Sequence, residues 1–373
     1  MTLKFKNTYL FIAAFFTVTT SILFGCKKED ISESDFEINY YKQAQLQNIF
    51  DNEIAVLNQQ FVNETSVLKT VSNEFSQNIT LENLDALQLQ WIKMLSIWKQ
   101  MELYNIGDIS DSFIHSSINF WPSNIGFIEN FIASIPIIDE PFIESKGASS
   151  KGISAIEYLI FANSEPLIIN SFTTDANAQN RLNYLVSCIQ NLNIKAQELQ
   201  QLWDAYKPDF INALENNTDG SQNQIINAQV ALLEEIIIYK LGFPLGDNNG
   251  GAIDVEDLEA LRSESSLEII KQNLISLERS FTGEFEQTPF RIGFTDYLQQ
   301  LGYDDLSDTI LNQFKTCFNT IESIDNSLKQ ELLTSPENAI ALQNEIRDLL
   351  VFIKVDMANA IGSTITFNDN DGD

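Results

Sequence analysis

The sequence predicts an all-α protein made of two helical-bundle halves that come after a lipoprotein signal peptide. Three observations predict it. Apolar residues recur at helical spacing in nearly every long stretch, and little of the chain alternates with period two. The helical stretches end at glycine, proline or asparagine punctuation. A polar break, Asn216-Asn217-Thr218-Asp219-Gly220-Ser221, divides the chain beyond the leader into residues 37–217 and 218–373.

The leader comes first. Lys4 and Lys6 precede an apolar run from Tyr9 to Phe24, too short for a comfortable membrane span and in the basic-then-apolar order of a secretory signal. Leu23-Phe24-Gly25-Cys26 then resembles a lipobox, which makes 1–25 a signal peptide and Cys26 the acylated first residue of the mature chain. Phe24 departs from the small residue usual there. The alternative is an uncleaved anchor helix; both readings put the rest of the chain outside the cytoplasm. Acyl chains on Cys26 would partition into a membrane with about 0.8 kcal/mol per buried methylene. Lys27 is not the aspartate that retains lipoproteins in the inner membrane, so the resemblance favours the outer membrane. Which leaflet holds the anchor is open. Residues 26–36 are a polar tether.

The helices succeed one another in order. From Asn39 to Phe75, Leu46, Phe50, Ile54, Leu57, Phe61 and Leu68 fall on one face. Thr80 is placed to cap a second helix with Leu84, Leu87, Trp91, Leu95 and Trp98 on its stripe and Gly107 as its stop. Residues 108–147 are loop-rich, broken by Pro122, Pro136 and Pro141. A third helix begins near Gly152, and a fourth runs from Ala176 to Tyr206, ending before Pro208. In the second half, a helix through Ile225, Val230, Leu233, Ile237 and Leu241 ends at Gly242-Phe243-Pro244-Leu245-Gly246. Others are expected at 265–280, 305–326 and 336–360, the last entered through Ser335-Pro336. The endings Tyr104-Asn105-Ile106-Gly107 and Tyr239-Lys240-Leu241-Gly242 are alike, which leaves an internal duplication open.

Charge bounds the partners. The 373 residues carry 22 basic and 52 acidic side chains, a net charge of −30. Loss of Lys4 and Lys6 with the leader takes the mature chain to about −32, a surface that repels nucleic acid and favours cations or basic partners. The bland account is that acidity keeps a secreted protein soluble. With Cys26 consumed by lipid, Cys188 and Cys317 remain, each in an apolar helical stretch, and two buried free thiols are expected rather than a disulfide. His115 is the single histidine, read as an ordinary side chain of the loop region. That scarcity removes most hydrolytic metal sites and Ser-His or Cys-His arrangements at once. There is no HExxH, GxSxG, phosphate loop or CxxC. The terminal Asp369–Asp373 run lacks the downstream glutamate of a calcium loop and reads as a polar tail.

Several segments, in order, carry a family resemblance. They are Trp98–Gly107 (WKQMELYNIG), Trp121-Pro122, Lys151–Phe161 (KGISAIEYLIF), Lys240–Gly246 (KLGFPLG) and the ending Ile365–Asp373. Together they resemble the imelysin-like family across essentially the whole mature chain. The resemblance implies a two-bundle helical protein, secreted or lipid-anchored, named for a reported peptidase and tied to bacterial iron uptake. The family hallmark is Gly-x-His-x-x-Glu; here it is Gly152-x-Ser154-x-x-Glu157, with serine in place of histidine.

Each motif has a plain rival. Ser154-x-x-Glu157 ahead of an apolar run is also a capping box, contributing about 1 kcal/mol without any ligand, and from the residues alone that reading is favoured. In Val255–Ser266 (VEDLEALRSESS), Glu259 and Ser263 would share a helix face. Its rival is a solvated acidic helix start, with Ser265-x-x-Glu268 as another cap. The resemblance implies a pocket between the halves holding Gly152, Ser154 and Ser263, with Glu157 and Glu259 as ligands to iron or a divalent cation. Glu157 is then expected close to the 256–263 acids or hydroxyls.

The function expected is a lipid-anchored extracytoplasmic binding component linked to iron or metal uptake, held to the membrane through Cys26 and working with metal-uptake proteins. The alternative is a structural or partner-binding lipoprotein with a vestigial pocket. A metallopeptidase is disfavoured by Ser154.

Overall fold

Helices account for all regular structure among the described residues, which in this computed structural model are 42–285 and 292–366; no strand occurs there. The segments read as a signal peptide and a tether, Cys26 and the Asp369–Asp373 run lie outside the described residues. Eight helices carry the core and the site. They are α1 (Ala55–Gln77), α2 (Leu81–Met101), α3 (Gly152–Phe161), α4 (Ala178–Asn212), α5 (Ser221–Glu235), α6 (Ser266–Thr282), α7 (Asp304–Glu322) and α8 (Glu337–Val351). A helical run from residue 42 leads into α1 through a π turn, Phe50–Ile54.

The apolar stripes are buried as their spacing requires. Leu46, Phe50, Leu57, Phe61, Leu68 and Phe75 are at most 2% exposed, so a single face of the first helical rod is dry along its length. This face receives α4 on one side and α2 on the other. Thr80 caps α2, its Oγ1 accepting from Asn83 N at 3.3 Å. Trp98 of α2 packs on Phe61 with ring centroids 5.3 Å apart.

Three boundaries depart from the sequence reading. α4 does not stop before Pro208 but runs through it to Asn212. Burial of Phe210, whose ring meets Phe50, Trp203 and Tyr206, outweighs the lost backbone hydrogen bond. Gly107 does not stop α2. The helix ends at Met101, tightens into a 3₁₀ turn at Glu102–Tyr104, and Gly107 opens a short helix, Gly107–Asp111. The chain after α5 runs instead through a π turn, Ile236–Gly242, so the two endings that look alike in sequence differ in structure. The last helix starts one residue later than Ser335-Pro336 suggests, with Pro336 as its cap residue, and passes through a π turn at Phe352–Met357.

The second part of the chain is joined to the first through α2 and α6. Carbonyls at the end of α2 lack partners within their own helix. Asn273 Nδ2 of α6 donates to Lys99 O at 2.7 Å, and Ser276 Oγ to Gln100 O at 2.7 Å. The π turn Ile236–Gly242 also frees a carbonyl, and Gln343 Nε2 of α8 donates to Ile237 O at 2.9 Å. Cys188 and Cys317 are both buried free thiols, as the apolar setting implied. No described helix is long and apolar enough to cross a membrane.

Candidate functional site

The end of α2 and the π turn after α5 each bury a lysine. Lys99 and Lys240 have side-chain exposures of 0% and 2%, which is costly unless each ammonium is paired. Lys99 Nζ lies 2.5 Å from Glu102 Oε1 and 2.5 Å from Glu259 Oε1. Lys240 Nζ donates to Glu102 Oε2 at 3.1 Å and to Asn273 Oδ1 at 2.9 Å. It also lies 3.1 Å from Glu235 Oε1 and 3.3 Å from Glu259 Oε2. Trp98 Nε1 adds a donor to Glu102 Oε1 at 3.1 Å.

The charges in this cluster are unequally satisfied. Burial pushes the Glu102 carboxyl up, but Lys240 and Lys99 outweigh it and hold it at about 2. Glu259 is likewise buried and is held below the usual carboxylate range by the same two ammoniums. For Lys240, burial acts downward, yet Glu102, Glu235 and Glu259 keep it charged well above the ordinary lysine range. Glu235 moves the other way. Burial of its surroundings and the charges of Glu102 and Glu259 leave it raised, despite Lys240.

The hallmark helix α3 reaches this cluster from the other side. Gly152 has φ +76°, and a Cβ there would stand 2.2 Å from Ile118 O, so no other residue fits. The capping-box reading is wrong on both members. The cap residue of α3 is Lys151, with no side-chain cap. Ser154 Oγ instead donates to Asn119 Oδ1 at 2.8 Å, and Asn119 Nδ2 donates to Glu259 Oε1 at 3.2 Å. Glu157 Oε1 accepts from both Ser263 N and Ser263 Oγ at 2.9 Å. Burial raises the Glu157 carboxyl; the Ser263 hydrogen bonds and Arg262 oppose this, and Glu259 adds to it.

Residues 255–265 are not the helix expected of them. A 3₁₀ turn, Val255–Asp257, gives way to turns in which Ala260 and Glu264 adopt positive φ. Glu259 and Ser263 therefore reach the site by irregular backbone, not by a shared helix face. Glu259 is 6% exposed, which also overturns the solvated acidic reading for this residue. Ser265 makes no side-chain cap on α6. Arg262 lies over the Tyr158 ring, 5.6 Å from its centroid, and pins the segment onto α3.

A cavity of about 250 Å³ opens on the cluster, lined among others by Trp98, Glu102, Asn119, Trp121, Glu235 and Glu259. His115 lines it too. It is not an ordinary loop residue but sits in a short helix, Ile114–Ile118, with its ring 4.8 Å from that of Trp98. Burial lowers its pKa to about 4, which leaves a neutral imidazole at physiological pH.

Of the sequence-marked residues, Glu157 meets Ser263, and Ser154 reaches Glu259 only through Asn119; Glu259 lines the cavity, while Gly152, Ser154, Glu157 and Ser263 are not among its lining residues. Glu157 and Glu259 come already engaged, one by Ser263 and the other by Lys99 and Asn119. An ion bound to Glu259 has to displace an ammonium. Glu102, Glu235 and Glu259 do converge, but on the Lys240 ammonium, and among the described residues no group of three His, Cys, Asp or Glu side chains is placed to hold a metal. Lys99, Glu102, Lys240, Asn119 and Glu235 were missed. The lysines had left a signal: Lys99 falls four residues after Leu95, and Lys240 three after Ile237, on stripes otherwise apolar.

Comparison with known proteins agrees with this architecture. The family model described as Imelysin matches residues 56–351. Iron-regulated protein A of Synechococcus elongatus is 22% identical over 288 residues, covering 74% of this chain and 73% of that protein. An imelysin-like protein from Psychrobacter arcticum 273-4 has a TM-score of 0.74 at 18% identity, over 88% of this chain and 98% of its own. A protein described as a candidate iron-regulated protein A precursor, from Parabacteroides distasonis ATCC 8503, has a TM-score of 0.69 at 18% identity, over 86% and 95%. At that identity the two structures establish the fold.

Proposed function

This chain belongs to the imelysin family, and from that premise we propose that it is an extracytoplasmic binding component of an iron-linked uptake system, anchored through a lipid on Cys26. The observation that carries the reading is the cavity over Lys99, Glu102, Glu235 and Glu259. Its acids are committed to fixed ammoniums, which suits recognition and gives no open metal position for activating water. Ser154 stands where the family carries histidine and is used to hold Asn119. Two relatives named as iron-regulated protein A supply the iron link, and the lipobox-like Leu23–Cys26 supplies the anchor. Iron here is the cargo of the system and not a resident cofactor; uptake proteins of the envelope are the partners.

Deletion of the gene in its native host tests this. Under iron chelation the deletion strain should grow more slowly and accumulate less radioactive iron, and the wild-type gene should restore both. A Cys26→Ala copy should leave the envelope fraction or persist as precursor. Unchanged growth and iron accumulation in the deletion strain would refute the iron link, and unchanged size and membrane association of Cys26→Ala would refute the anchor.

A further inference from the structure

The cavity over the buried lysines has a neighbour of about 530 Å³, and the two share Trp121 and Glu235 in their walls. The second cavity adds the rings of Tyr239 and Phe243 and the carboxylates of Glu256 and Asp257. Its lining holds no Lys or Arg, and neither does that of the first. The ammoniums that balance Glu102 and Glu259 lie behind them, out of reach of a ligand.

The local charges leave a surplus. Glu102, Glu235 and Glu259 face two lysines, so one carboxylate is uncompensated. Glu235 is the one open to a ligand, with 44% of its side chain exposed. Glu256 and Asp257 form no ion pair among the described residues. Within the first cavity, Glu259 Oε2 is held by the Lys240 ammonium at 3.3 Å, so Glu235 is the carboxylate left for a ligand.

The rest of the lining says what kind of cation fits. Aromatic faces attract a soft, spread positive charge through their quadrupole and are poor ligands for a hard ion. Added together, the two volumes suit a small organic molecule or an extended side chain. We propose that the joined cavities bind an organic cation, an alkylammonium or guanidinium group seated on Glu235 against the Trp121 ring, its stem lying along the contacting Tyr239 and Phe243 rings. The site goes beyond the iron reading and stands without it. The cation can come from a free polyamine or from a basic side chain of a polypeptide.

Calorimetry and tryptophan fluorescence on the full-length protein in detergent separate these sources. The probes are spermidine and the blocked peptide acetyl-Gly-Arg-Gly-amide, with triacetylspermidine and the citrulline peptide as neutral counterparts. At least one cation should bind, and its neutral counterpart should bind about tenfold more weakly or worse. The cation that binds better identifies the source. Glu235→Gln should weaken binding by about tenfold. Glu256→Gln with Asp257→Asn, made at the cavity rim, should weaken it by about threefold and serves if Glu235→Gln fails to fold. Failure of both cations to bind at about 10 mM would overturn the proposal. So would equal binding of the neutral counterparts, which marks a site for polar neutral ligands. Unchanged affinity in the variants, or displacement of the cation by an equimolar zinc salt, would overturn it as well.

Discussion

Lys99 and Glu259 are separated by 160 residues of chain, and their charged atoms lie 2.5 Å apart in the protein interior. The contact ties the end of α2 to a loop of the second half, and it has almost no access to water. Removing Lys99 leaves Glu102, Glu235 and Glu259 to share the single ammonium of Lys240, an excess of negative charge in the dry interior. Lys99→Met should therefore lower stability by about 3–5 kcal/mol in urea unfolding. Lys99→Met combined with Glu259→Gln should recover part of that loss. A single-variant loss below about 1 kcal/mol would show that the pair is not the constraint described.

Glu157 and Glu102 set opposite pH dependences. Glu157 is raised by burial, so the folded protein holds its proton more tightly than the unfolded chain does. Its contribution is complete below the ordinary glutamate value and is lost as pH rises through the raised folded value. Glu157→Gln keeps an acceptor for Ser263 and removes that loss, so its stability relative to wild type should improve from about pH 4 towards neutrality. Glu102 is depressed to about 2, so its contribution is present above the ordinary value and disappears as pH falls through the depressed one. Glu102→Gln should flatten that acid limb and cost stability at pH 7. Urea midpoints across a pH series decide both; curves parallel to wild type would contradict the assignments.

Gly152→Ala should be among the most damaging small substitutions. It combines a left-handed backbone with a methyl group 2.2 Å from Ile118 O. The conformation alone costs on the order of 1 kcal/mol, and relieving the overlap must move α3 away from Ile118. A drop of about 3 kcal/mol or failure to fold is expected, read by thermal melting. A near-wild-type melt would mean that α3 can shift freely.

Pro208→Ala should stabilise the protein. Alanine restores the amide that Pro208 withholds from α4 and keeps the Phe210 packing, a gain of up to about 3 kcal/mol. Calorimetry showing a lower melting temperature would indicate that the proline is needed for the path of the last turn.

The long helices were legible because their apolar residues repeat at one period and their stripes are buried, as with Phe61 and Leu68 in α1. Pro208 misled because a local rule was opposed by distant aromatic packing that sequence spacing does not show. The site was half legible. Gly152, Glu157 and Ser263 stood out through family-like segments, and the structure brings Glu157 and Ser263 into contact. The route by which Glu259 arrives was not legible, since Ala260 and Glu264 adopt a backbone conformation their residue types do not announce. His115 was misread because a single histidine carries no periodicity of its own.

The dryness of Lys99 and Lys240 has a practical consequence for chemical footprinting. Acylating reagents attack free amines in contact with water, so exposed lysines such as Lys93 should label at once, while these two wait. Their modification then records how often the interior opens, site by site, in a mass spectrum. A ligand that holds the cavity shut should slow labelling of both lysines together, and leave Lys93 unchanged.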